Sequence, residues 1–416
     1  MKILVYGAGV IGCVLAHKLF RAGNDVTILA RGNWKQIIDE QGLTIDHYGY
    51  FYKTRDKVRT IDKLENSDRY DLIFVVMQYN NTLNILKSLG ENVSPYIILV
   101  GNNMNPEYCE KEILKISHSK KEIGFGFQGS GGYRKDNKVV GMHSFRIGMT
   151  LGGLRCKLSD EFEKTIKTAF LKSSYKLEFQ ENMEGWLLSH AAQILPGCYL
   201  CYALNCNLKM AKKKDAAMAI KATSEAYNML KSLGYPIPDG EEKQYTDEFE
   251  KKVNRLYFMY KTCIGKFVIS NHCSHAVEEM SALDKSFNEL KNKVKETDID
   301  KFENYMYELY FSVADGSMTM SQFTSKIYEY MRENNISNEK FMNMQKKLLE
   351  RYGVDESEIE RQLRGMGINP NDLSSISSMN INDIRNKNMN NNTETKEEPK
   401  VEIKIDKAQE NTVKNS

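Results

Sequence analysis

The sequence predicts an α/β protein: an N-terminal doubly wound parallel sheet followed by an all-α C-terminal domain. Three observations carry that expectation. Short β-rich apolar runs alternate with helical patterns through the first part of the chain. A glycine triplet punctuates the first strand-to-helix turn. Long helical periodicity then takes over from about residue 183.

Taken in order, Ile3-Leu4-Val5-Tyr6 is a short strand and Gly7-Ala8-Gly9-Val10-Ile11-Gly12 is the turn after it. Val14, Leu15, Lys18 and Leu19 keep helical spacing until Gly23-Asn24 ends the helix, and 25–29 is a second apolar strand. Met1-Lys2 with the apolar run to Ala16 imitates a signal peptide, yet the same residues fit this glycine-punctuated βαβ unit better. Further buried-type strands fall at 72–77, 97–100 and 122–127, with helical patterns at 82–89 and 106–116 between them. Strands alternating with helices argue a parallel sheet. One or two more strands are expected within 138–151, and a helix over 160–171.

Four segments follow from the changes in character: a dinucleotide-binding domain over 1–180, a helical domain over 181–315, a short helical appendage over 316–373 and a polar tail over 374–416. Turn signals at Gly234-Tyr235-Pro236 and Pro238-Asp239-Gly240 divide the helical domain. In the appendage Ser337 is placed to cap a helix over Asn338–Tyr352, with Gly353 closing it. The tail is rich in Asn, Lys and Glu and cannot bury enough apolar area to offset the entropy of ordering, so it reads as disordered.

Composition removes several function classes. Among 416 residues, 58 Lys and Arg stand against 55 Asp and Glu, a net charge of +3. That lacks the basic footprint of a nucleic-acid binder. The apolar runs of about six residues fall short of the roughly 20 a membrane helix requires. Eight dispersed cysteines suit reduced thiols and a cytoplasmic setting.

Gly7-x-Gly9-x-x-Gly12, opening a helix straight after a strand, is a Rossmann-type dinucleotide fingerprint. Gly7 permits the tight turn, Gly9 lets the backbone approach a pyrophosphate, and Gly12 allows close helix–sheet packing. Ala8, Val10 and Ile11 complete the cradle, whose helix tip offers free N–H groups and a positive dipole end. At the close of the second strand, where an acid would accept from the ribose 2′-OH, the chain has Ala30-Arg31-Gly32. Arg31 has the charge and planar fork to hold a 2′-phosphate, which predicts NADP over NAD.

With these residues the chain resembles the ketopantoate reductase family. Its opening and the 30–32 segment match, as do Val76-Met77-Gln78, Val100-Gly101-Asn102-Asn103-Met104 and the run from Gly126 to Gly132. Two later blocks, 186–192 and 275–283, extend the likeness to about residue 300. The resemblance implies an active site in the cleft between the Rossmann and helical domains, and hydride transfer from NADPH to a small-molecule 2-keto acid. It maps the family's active-site asparagine to Asn102 and its glutamate to Glu279, and places Gln78 beside the cofactor. A homodimer through the helical domain is a further expectation.

The departures are specific. Where the family has its catalytic lysine this chain has Leu188, and Ala192 stands where an asparagine follows one turn later. A lysine near the cofactor is replaced by Gln78. Leucine can neither donate a proton nor balance developing charge. His275, four residues before Glu279, is a candidate substitute, because an i,i+4 carboxylate would favour its charged form; the other reading is a helix-surface ion pair. His190 reads as a packed histidine. Cys198-x-x-Cys201 lies in an apolar stretch that looks like core, and no metal site is expected. The leading functional reading is an NADPH-dependent 2-keto acid reductase. The alternative is an NADP(H)-binding regulatory or sensor protein that has lost the lysine.

Overall fold

The computed structural model describes residues 1–262, 265–294, 298–314, 316–334 and 336–352. The chain divides into two compact units, 1–294 and 295–416.

The strands of the first unit are β1 (Lys2–Tyr6), β2 (Asp25–Leu29), β3 (Leu43–His47), β4 (Tyr52–Asp56), β5 (Arg59–Ile61) and β6 (Leu72–Val76). After them come β7 (Tyr96–Val100), β8 (Glu122–Gln128), β9 (Ser130–Lys135), β10 (Lys138–His143), β11 (Ile147–Gly152) and β12 (Tyr175–Gln180). Helices α1 (Val10–Arg21), α2 (Gly32–Gln41), α3 (Tyr79–Thr82), α4 (Leu86–Glu91), α5 (Pro106–Ile116) and α6 (Asp160–Phe170) lie among them. An eight-stranded sheet runs β12-β11-β8-β7-β6-β1-β2-β5, and its six strands from β8 to β5 are parallel. Numbered among themselves along the chain, those six have the doubly wound order 3-2-1-4-5-6. The order reverses between β1 and β6, so the carboxyl ends of β1, β6 and β7 adjoin one another at the switch point. The expected α/β class is borne out.

A second sheet runs β4-β3-β10-β9, of which only β10 falls where the sequence predicts a strand, within 138–151. Its Leu43, Ile45 and Val139 join Cys13, Val14, Leu15 and Ala16 of α1 in one core, which also holds Ile3, Val5 and Phe74 of the large sheet. Helix α1 is therefore covered on two sides, which explains why it is apolar around most of its circumference. Glycines permit the approach: a Cβ on Gly141 of β10 would come to 3.1 Å from Val14. The glycine-rich stretch 129–132 leads into this sheet. From Ser130 onward it is strand β9, paired antiparallel with β10. The helix expected over 82–89 is split into α3, a 3₁₀ turn at Leu83–Ile85 and α4.

Helices α7 (Met183–Ala203), α8 (Lys213–Ser232), α9 (Glu241–Thr246) and α10 (Phe249–Lys261) follow, then a π-helical turn over Gly265–Ser270, α11 (Asn271–His275) and α12 (Val277–Lys291). They share an apolar core in which Leu188, Leu195, Ile220, Tyr227 and Leu283 are buried together with Tyr79 and Met104 from the sheet side. No described helix is long and apolar enough to cross a membrane.

The second unit contains α13 (Asp298–Ala314), α14 (Met320–Glu333) and α15 (Asn338–Tyr352). Phe302 and Leu309 of α13 pack with Ile327, Met331, Phe341 and Met344. The sequence reading carries the helical domain to 315, whereas α13 shares its core with the two helices after it, so the division falls at 294/295. Ser337 Oγ accepts from Lys340 N at 3.2 Å, as an N-cap does. Gly353 and the tail over 374–416 lie outside the described residues.

Candidate active site

The glycine loop is sterically specified. Gly7 has φ +119°, and a Cβ there would lie 2.3 Å from the Val76 carbonyl oxygen; one on Gly12 would lie 2.0 Å from the Gly7 carbonyl oxygen. Gly9, by contrast, faces open space within 4 Å. It stands at the N-cap of α1 with no side-chain cap, and its carbonyl accepts the first helical bond, from Cys13 N at 2.9 Å. The amides of Val10, Ile11 and Gly12 therefore point out of the helix tip without intrahelical partners. Two tight glycines and one open one make a shape that fits a pyrophosphate against the amides.

Two guanidinium groups flank this loop. Arg31 is exposed at the N-cap of α2, and its Nη2 donates to Tyr6 Oη at 3.3 Å. Arg134 on β9 donates to the Ala8 carbonyl, and its guanidinium carbon lies 4.6 Å above the Trp34 ring. Sequence reasoning missed Arg134. Only the pairing of β9 with β10 and the packing of that ribbon on α1 bring it to the loop, and no local spacing announces it.

The second part of the site joins the sheet edge to the helical region. Glu279 on α12 is only 4 % exposed. Its Oε1 accepts from Asn102 Nδ2 at 3.2 Å and from Tyr79 N at 3.4 Å. Asn102 follows β7 and Tyr79 opens α3 after β6, so both sit at carboxyl ends of strands next to the switch point. Asn102 and Glu279, named separately from sequence, are thus brought together. Gln78 lies beside them at the N-cap of α3, half-buried, its carbonyl accepting from Asn81 N at 3.0 Å.

His275 does not join them. It is exposed, with Nδ1 2.7 Å from the Asn271 carbonyl oxygen and 3.0 Å from Ser274 Oγ. The expected i,i+4 pair with Glu279 fails because Ala276, at φ −128° and ψ 33°, interrupts the helix between them. The histidine facing Glu279 is instead His272, with Nε2 3.8 Å from Oε2.

Leu188 and Ala192 are 2 % and 1 % exposed in the core shared with Tyr79 and Met104, so this face of α7 is apolar. His190 stacks on Trp186 at 5.1 Å and 9° and approaches Phe127 at 4.2 Å. Burial, reinforced by the nearby His272, pushes its pKa down to about 4. Cys198 and Cys201 are buried in the same core, with Cys198 Sγ 3.5 Å from Met280 Sδ. Among the described residues no group of three or more His, Cys, Asp or Glu is arranged to hold a metal ion.

Residues 3–152 match the family model described as ketopantoate reductase PanE/ApbA, and residues 285–416 match one described as a protein of unknown function, DUF3867. The first bears out the resemblance for the sheet-forming part of the chain. A 2-dehydropantoate 2-reductase from Pyrococcus horikoshii is 30% identical over 190 residues, 45% of this chain and 58% of the relative. Its counterpart from Pyrococcus abyssi is 25% identical over 196 residues, 46% of this chain and 60% of the relative. The chain thus spans about three-fifths of the curated relatives it matches. Among solved structures, a 2-dehydropantoate 2-reductase from Geobacter metallireducens superposes with a TM-score of 0.52 at 16% identity, covering 71% of this chain and all of the other. That likeness is one of fold.

Proposed function

We propose that this chain is an NADPH-dependent reductase of a 2-keto acid, working where Asn102 and Glu279 meet. The observation that carries the reading is their contact at the carboxyl edge of the sheet, one strand from the glycine loop. In open α/β sheets ligands sit at that edge, at the switch point. The two curated relatives carry the name of such a reductase.

The residues present fit a phosphorylated dinucleotide. The amides at the α1 tip and Arg134 would hold its diphosphate, and Arg31 its 2′-phosphate. When bound, the reduced nicotinamide supplies the hydride. The chain's own groups do the rest. Asn102 presents an amide that orients a carbonyl or carboxylate. The Glu279 carboxylate, fixed by Asn102 and the Tyr79 amide, accepts from a substrate hydroxyl. Tyr79 is itself immobilised, its Oη receiving a hydrogen bond from Asn105 at 2.6 Å and lying 3.2 Å from Ser286 Oγ.

Leu188 favours a second reading. With that position apolar and buried, the chain could sense NADP(H) without turning substrate over. Titrating NADPH and NADH by fluorescence, then assaying a panel of 2-keto acids that includes ketopantoate, separates the two. Tight NADPH binding with turnover supports the reductase. Binding with no turnover supports the sensor, and no binding of either nucleotide removes both.

A further inference from the structure

Reducing a keto group delivers a hydride to carbon and a proton to oxygen, so some side chain or water must give that proton. The inference below rests on the reductase reading. Among the described residues, Glu279, Tyr79, His190 and His272 are protonatable side chains near the Asn102–Glu279 contact, and the first three do not suit the role.

Three of them are unsuited. Tyr79 is buried with its hydroxyl engaged by Asn105 and Ser286, and burial raises its pKa further. His190 is packed between Trp186 and Phe127 and, held near pKa 4, has no proton to give at neutral pH. Glu279 Oε1 accepts from two donors, an amide side chain and a backbone N–H, the role of an ionised carboxylate.

His272 differs in each respect. Its Nε2 lies 3.8 Å from Glu279 Oε2, and its side chain keeps 42% of its surface exposed while Glu279 keeps 5%. It can therefore meet both a substrate and the solvent that would reload it. Imidazole is also the side chain whose ordinary titration spans neutral pH. The backbone is irregular at this point. The π-helical turn Gly265–Ser270 precedes His272 by two residues, and such turns recur at functional sites. Gly265 allows the turn's tight entry, since a Cβ there would lie 2.6 Å from the Met259 carbonyl oxygen.

We propose that His272 is the proton donor of the reaction, with Glu279 positioning its ring. As the hydride adds to the keto carbon, the C=O π pair moves to oxygen and takes the Nε2 proton of the imidazolium. The products are the 2-hydroxy acid, neutral imidazole and the oxidised nicotinamide. Solvent then returns a proton to the exposed ring. Among the described residues, the Glu279 carboxylate from α12 and the neutral His190 ring from α7 lie near His272.

The test uses the full chain with NADPH and whichever 2-keto acid it reduces. His272→Gln should lower kcat by about 10²–10⁴-fold, the range for a lost general acid, with NADPH affinity and melting temperature unchanged. The wild-type rate should fall as pH rises through the imidazole ionisation, and the variant should lose that limb. Free imidazole in the buffer should restore part of the variant's rate. The exposed His118→Gln serves as the control and should match wild type. A His272→Gln protein within about threefold of wild type, with the same pH limb, overturns the assignment and leaves the reductase reading standing. A wild-type chain that binds NADPH and reduces no 2-keto acid overturns both.

Discussion

Asn102 Nδ2 donates to Glu279 Oε1 at 3.2 Å, linking the edge of the parallel sheet to helix α12 across 177 positions of sequence. The contact leaves Glu279 fixed but with Oε2 turned toward His272. Replacing Glu279 by Ala deprives Asn102 and the Tyr79 amide of their acceptor. A hydrogen bond to a charged group is worth about 1.5–3 kcal/mol. The expected result is a drop of roughly 10–100-fold in kcat/KM for the keto acid with NADPH affinity preserved, read by steady-state kinetics beside a nucleotide titration.

The glycines separate folding from binding. Gly12→Ala puts a methyl group against the Gly7 carbonyl and should lower the melting temperature markedly. Gly9→Ala meets no atom of the protein, so it should fold normally and lose NADPH affinity instead. Equal stability loss in both variants would show that the open space at Gly9 is not a ligand's.

Arg31 should decide between the two nicotinamide nucleotides. Exchanging it for Glu removes a charge-assisted partner of the 2′-phosphate and adds repulsion. NADPH affinity should fall by about 10–100-fold, corresponding to roughly 1.5–3 kcal/mol, while NADH binding holds or improves. An unchanged NADPH-to-NADH ratio would refute the role given to this residue.

Leu188→Lys tests the apolar face of α7. The position is 2 % exposed among Tyr79, Met104 and Leu195. An ammonium there must be desolvated within an apolar core, so the variant should lose about 3 kcal/mol or more by denaturant titration. Leu188→Met, close in volume, should lose less than about 1.5 kcal/mol.

Acid should weaken the small sheet. His47 is pushed down from 6.5 to about 3, chiefly by burial and then by the charges of His17 and His143; burial lowers His143 as well. Both rings take up a proton less readily in the fold than in the unfolded chain. Stability is therefore complete above about pH 6.5 and declines as the pH falls toward 3. Asp56 adds to the loss further down. Burial would raise it, but His17 and Arg21 hold it below its usual 3.8, so its contribution disappears as the pH drops past that value. Melting temperatures from about pH 7.5 to about pH 5 should fall, with a shallower slope in His47→Gln.

Much of this was legible from residues 1–150 and less beyond them. The Gly7–Gly12 turn and the strands read at 72–77 and 97–100 are local patterns, set by glycine sterics and continuous apolar runs, and the structure has those strands at Leu72–Val76 and Tyr96–Val100. The small sheet escaped notice because β3 and β4 mix polar with apolar residues and β9 is half glycine and charge, so only pairing across some ninety residues defines it. The site divided in the same way. Asn102 and Glu279 could be named from motif blocks. Arg134 and His272 reach it through a hairpin register and an interrupted helix, neither of which has a signature in spacing.

The second unit's core has a bearing on descent. Phe302, Leu309, Ile327, Met331, Phe341 and Met344 satisfy one another within a span of some fifty residues, and a separate family model begins just ahead of them. A segment that carries its own apolar core can be gained, lost or exchanged by recombination as a unit.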